Sequence, residues 1–105
     1  MANYVLVYSG GSGMAGTPEE QQKIMADWGV WFNNLGQALA DGGNPFGPSA
    51  TINPDGSTRD GGSHALTGYT ILKADSLSDA TGMAKGCPVL ASGGTVEVYE
   101  TFPVM

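Results

Sequence analysis

One stretch of the chain, DGGSHALTGY from Asp60 to Tyr69, holds the sole histidine, His64. A neutral imidazole near pH 7 can give or take a proton, and no other unperturbed side chain here does so. Asp60 is close enough in sequence to orient that ring, and Gly61 and Gly62 would let the backbone fold the two together. Asp60 and His64 are therefore the candidate catalytic pair. The competing reading of His64 is a loop residue that bonds backbone, lies at a dimer contact or sits on a pocket rim. Cys87, the sole cysteine, falls at the carboxyl end of a predicted helix, before Pro88. No positive dipole end acts on it there, so it reads as a small buried hydrophobe rather than a nucleophile. One histidine and one cysteine cannot build a structural zinc site. Asp55 and Asp60 in DGSTRDGG are too few for a calcium loop. No metal is expected.

A second constellation is aromatic and polar. Tyr8, Ser9, Trp28, Asn44, Ser49 and Tyr69 lie at the end of a first strand, on a first helix and around a Gly-Asn-Pro turn. Those places should converge at one end of a sheet. An apolar pocket with a few placed hydroxyls and an amide is the usual way to hold a small ligand. The six are the candidate ligand-binding set, against the plainer reading of core plus a capped turn. The glycine-rich loop from Gly10 to Gly16 is read as having neither a Gly-x-Gly-x-x-Gly in register nor the Gly-Lys-Ser/Thr signature of a phosphate loop, and so as a loop beside that pocket. No cofactor is expected.

The elements that must position these residues are set by local pattern. Tyr4 to Tyr8, aromatic and β-branched, reads as a central strand. Thr17-Pro18-Glu19-Glu20 is a helix start, with Thr17 as cap, Pro18 in the first turn and Glu20 completing a capping box. Ile24, Trp28, Trp31, Phe32, Leu35 and Leu39 fall on one helical face. The spacing predicts a helix running to Gly42-Gly43, roughly 23 residues and about 35 Å long. Ser49 to Asn53 reads as a short strand, and Asn53 to Ser63 as a loop or hairpin region with a Pro-Asp-Gly turn. Leu66 to Ala74 is a strongly apolar strand. Ser76 caps a second helix with Leu77, Ala80, Met83 and Ala84 inward; Gly86 stops it, and Pro88 prevents its continuation. Thr95 to Phe102 alternates as a half-buried last strand, with Val96, Val98 and Thr101 set apart from Glu97, Tyr99 and Glu100. The order predicts an α+β, ferredoxin-like antiparallel sheet with two helices on one face. The bare face of such a sheet predicts a homodimer about a two-fold axis.

At 105 residues the chain is read as a single domain, residues 1–105. Only 13% of residues are charged, and the net charge is −6. Lys23, Arg59, Lys73 and Lys85 are scattered, which argues against nucleic acid, since phosphate contacts need clustered Lys or Arg. The same deficit argues against an anionic membrane surface. A lone cysteine and an N-terminus without a basic leader point to the cytoplasm.

GGNPFGPSA after a Trp-rich helix, a DG turn before a GY-containing strand, and GCPVLASGGTVEVYE near the end resemble the YCII-related, DGPF-type domain family. The likeness covers nearly the whole chain. Asp60-Gly61-Gly62-Ser63 stands where the family motif reads Asp-Gly-Pro-Phe. The resemblance implies a dimeric α+β barrel with a cleft between helices and sheet. It also implies, in some members, an enzyme using a histidine and an acidic residue on the first helix and its end. Those positions fall near Met25 and Asn34, neither of which does acid–base work; Asp27 and Asp41 are out of register. Three functions stay open: a binder of a small polar or aromatic metabolite, with or without accessory enzymatic activity; a non-catalytic dimeric interaction module linked to transcriptional regulation; and an enzyme using His64 with Asp60.

Overall fold

The computed structural model describes residues 2–10, 16–62 and 66–103. The chain runs β1 (Ala2–Ser9), α1 (Pro18–Leu35), a 3-10 turn (Gly36–Ala38), β2 (Leu39–Asp41), β3 (Ala50–Ile52), β4 (Thr58–Asp60), β5 (Leu66–Ala74), α2 (Leu77–Ala84), α3 (Pro88–Ala91) and β6 (Thr95–Glu100). Four strands form an antiparallel sheet in the order β2-β5-β1-β6. The fold is α+β.

β1 is central because its composition suits burial between two neighbours. Tyr4, Leu6 and Tyr8 point to the helices and are buried. They pair with Leu72, Thr70 and Gly68 of β5 and with Glu100, Val98 and Val96 of β6. Trp28, Trp31, Phe32 and Leu35 from α1 and Met83 and Ala84 from α2 close the same face. Ala80 of α2 packs with Tyr4 and Ala74 in a smaller cluster at the other end. Trp31 is held by a hydrogen bond from its Nε1 to the Met83 carbonyl at 3.1 Å. Strand alternation turns Val5, Val7, Ile71 and Tyr99 to the opposite face, with Val5 opposite both Ile71 and Tyr99.

The first helix begins as its sequence requires. Thr17 Oγ1 accepts from the Glu20 amide at 3.2 Å, with Pro18 in the first turn. Its end differs from expectation. Gly36, at φ +56°, caps it and donates its N–H to the Phe32 carbonyl, so the helix stops at Leu35. Leu39 then enters the sheet through β2, beside Leu72. The apolar rhythm that joined Leu39 to the helical face is equally met by a strand residue packed on the same core. The fourth sheet strand therefore comes from Leu39–Asp41 and not from the Ser49–Asn53 segment. That segment instead forms β3, paired only with β4 in a separate hairpin.

Ser76 caps α2 through the Asp79 amide at 3.1 Å. Ala80 and Ala84 are buried, but Leu77 is 47% exposed and does not belong to the inner face. α2 ends at Ala84 with Lys85 as its cap, and Pro88 opens the short helix α3, a position where its missing N–H costs nothing. In β6, Glu100 lies on the helix-covered side with Val96 and Val98, because period-two alternation places it there; it accepts from the Tyr4 hydroxyl at 3.0 Å.

The molecule measures 44 × 40 × 18 Å. Its short dimension suits one sheet plus one helical layer. The β3–β4 hairpin adds breadth and no core: only Thr51 in it is half-buried. Ser49 anchors the hairpin by accepting the Gly61 amide at 2.8 Å, and Thr51 Oγ1 donates to the Gly61 carbonyl at 2.7 Å. No described helix is long and apolar enough to cross a membrane.

Candidate functional site

A cavity of about 530 Å³ opens at one end of the sheet. Tyr8 forms its floor, α1 one wall, the Gly42–Pro45 segment and the start of β5 the second, and the Pro88–Ser92 segment the third. The volume lies in the range of small-molecule pockets, about 300–1,000 Å³.

The wall on α1 is an aromatic cluster built by helical spacing. Trp28 meets Tyr8 edge-on at 5.4 Å between ring centroids and Phe32 at 5.6 Å. Lys23 and Ile24 lie one turn before Asp27 and Trp28 along α1 and extend this wall outward. The Lys23 ammonium and the Asp27 carboxylate pair at 3.2 Å, with side chains 79% and 48% exposed.

The opposite wall depends on close backbone approach. Gly43 has φ +74°, and a Cβ there would sit 1.7 Å from the Tyr69 carbonyl oxygen. A Cβ on Gly68 would come within 3.2 Å of the Asn44 carbonyl. Two glycines thus let the segment press on β5, where the Tyr69 amide donates to the Asn44 carbonyl and the Phe46 amide to the Thr67 carbonyl. Asp41 Oδ1 fixes the turn by accepting the Gly43 amide at 2.8 Å. The Phe46 ring stacks on Tyr69 at 5.8 Å.

The floor is a directed hydrogen-bond chain. The Tyr8 hydroxyl donates to Thr70 Oγ1, which donates to the Gly42 carbonyl at 3.0 Å. Burial pushes the Tyr8 phenol far above its ordinary range, outweighing the stabilising Thr70 contact. Burial likewise pushes the neighbouring Cys87 thiol up, against the smaller opposing effects of the Val89 backbone and the Tyr8 hydroxyl. Both groups stay neutral at pH 7, so the floor carries no charge.

Of the six residues proposed to hold a ligand, four line this cavity: Tyr8, Trp28, Asn44 and Tyr69. Ser9 does not. It faces the other side of the sheet and shares a hydrogen bond with Thr95 at 2.6 Å. Ser49 is at the root of the hairpin, outside the lining. Asp60 is exposed on β4, opposite Ala50, also outside it. His64 lies outside the described residues. Met25 and Asn34 are both exposed on α1. The Lys23–Asp27 pair, Phe32, Gly43 and the Pro88–Ser92 wall were not singled out from sequence. Phe32 was within reach, since it shares the helical stripe of Trp28, and Lys23 and Asp27 adjoin that stripe. Gly43 and the third wall depend on tertiary approach.

The described residues contain no group of three or more His, Cys, Asp or Glu that could hold a metal. Contrary to the reading of the loop above, a Gly-x-Gly-x-x-Gly spacing does run from Gly11 to Gly16, between β1 and α1. The dinucleotide fingerprint needs a parallel βαβ unit. β1 pairs antiparallel on both sides, so the spacing carries no cofactor reading here. Residues 11–15 are outside the described ones.

No protein-family model matches the chain. No curated protein matches it either. The cavity and its walls are therefore the ground for a functional reading.

Proposed function

We propose that this protein binds a small metabolite with an aromatic or otherwise apolar body in the cavity beside α1, as a cytoplasmic homodimer. The single observation that carries this is the cavity itself, with Tyr8, Trp28 and Phe32 as apolar lining and Asn44, Asp27 and Ser92 as polar points around it. Few convergent polar groups on apolar walls orient a ligand while burial supplies affinity. Asp60, the described half of the candidate dyad, stands on the hairpin away from the cavity, so the proposal includes no catalytic step.

The ferredoxin-like reading is supported by the strand order β2-β5-β1-β6 with helical crossovers on one face. The YCII-related resemblance would add a dimeric barrel. The side of the sheet turned away from the helices carries Val5, Val7, Ile71 and Tyr99, suited to burial against a second copy. The other function class, a dimeric interaction module linked to transcriptional regulation, draws on the hairpin, where Ile52 is 72% exposed. Co-purification of one defined protein, lost on Ile52→Asp, would favour that class.

The test of binding is a thermal-shift screen against a metabolite library. A ligand at about 100 times its Kd adds roughly 2.7 kcal/mol, which is several degrees in a domain of this size. A reproducible hit abolished by Trp28→Ala is expected. A flat screen would overturn the reading.

A further inference from the structure

We infer that the cavity selects organic cations, namely amines or quaternary ammonium groups attached to an aromatic or apolar body. This rests on the binding reading above and adds the charge of the ligand. Lys23 and Asp27 are the only charged residues among the described residues of the lining. They neutralise each other at 3.2 Å, but they are not equivalent. The Asp27 carboxylate is the less exposed partner, at 48% against 79%. A molecule entering the cavity can therefore displace the ammonium, which has water to return to, and replace it at the carboxylate.

The surroundings favour that exchange. Trp28, next to Asp27, is part of the wall, and indole is the ring whose face attracts a cation most strongly. Phe32 and Tyr8 contribute further aromatic surface. The floor holds neutral groups, and the Tyr8 hydroxyl hydrogen is committed to Thr70. The Tyr8 oxygen thus suits a donor rather than an anion. The chain as a whole carries a net charge of −6, and the remaining basic residues, Arg59, Lys73 and Lys85, lie outside the lining. A carboxylate ligand would meet Lys23 alone, already paired, in a negative field.

The experiment uses three probes with one ring and different charge: phenethylamine, 2-phenylethanol and phenylacetate. Each is titrated calorimetrically into the full chain at pH 7 and low ionic strength, where exposed charges are least screened. Phenethylamine should bind about tenfold more tightly than the alcohol, from a cation–π contact plus one ion pair, and phenylacetate most weakly. Asp27→Asn should bring the amine down to the affinity of the alcohol, with a larger loss for the amine than for the alcohol. Lys23→Gln should strengthen the amine. Tighter binding of phenylacetate, equal binding of all three, or an equal loss for all three in Asp27→Asn would overturn the charge preference while leaving the cavity a binding site. Failure of all three to bind at millimolar concentration would overturn the binding reading and the charge preference together.

Discussion

Glycine 43 shows how much one missing Cβ can decide. Its positive φ and the 1.7 Å approach to the Tyr69 carbonyl leave no room for a side chain. Gly43→Ala should therefore cost about 2 kcal/mol or more in urea unfolding and open the cavity wall. Gly29→Ala is the contrast: it sits mid-helix with nothing within 4 Å of a Cβ, and should stabilise by about 0.5–1 kcal/mol. Tyr8 makes a prediction in alkali. Its ordinary value is 10.0, and burial raises it in the folded protein. The native state thus keeps a proton that the unfolded state releases above about pH 10. The associated stability is fully present below that pH and falls as pH rises further, by up to about 1.4 kcal/mol per unit. Tyr8→Phe should unfold with a shallower decline between pH 10 and 11, followed by circular dichroism. Of the candidate site, Tyr8 and Trp28 were legible because each belongs to a strong local pattern. Ser9 was misplaced by adjacency: one residue along a strand reverses the face.

At the scale of elements, capping signals were read more reliably than lengths. Thr17 and Ser76 both cap as their sequences suggest, and Thr17→Ala should lower stability by about 1 kcal/mol in the same unfolding assay. The far end of α1 was not legible in the same way. Gly36 is a sufficient stop, yet the apolar residues beyond it continue the helical count through Leu39, and only the pairing of Leu39 with Leu72 shows that a strand has begun. β5 matched its apolar run from Leu66 to Ala74 because a buried strand bounded by turn residues has few other readings. β3 lies within the short strand read from Ser49 to Asn53, but β4 was legible only as part of a loop or hairpin region, since the pairing buries almost nothing and leaves no apolar pattern to find.

For the molecule as a whole, the sheet has two unlike sides. One is closed by helices, and the other presents Val5, Val7, Ile71 and Tyr99. If that side pairs with a second copy, sedimentation at micromolar concentration should give a dimer, and Val7→Lys should give a folded monomer; a monomeric wild type would overturn the pairing. The central strand also draws its partners from the far end of the chain, Tyr4 beside Glu100. Such distant pairing predicts folding in milliseconds to seconds rather than microseconds. The two tryptophans carry a different consequence. Trp28 lines the cavity, whereas Trp31 is sealed beneath it, and their rings lie 5.6 Å apart. At that separation, light absorbed by the sealed indole passes readily to its neighbour. A molecule that quenches Trp28 would dim the emission of the pair, so the chain contains its own optical gauge of occupancy, and needs no attached dye to read it.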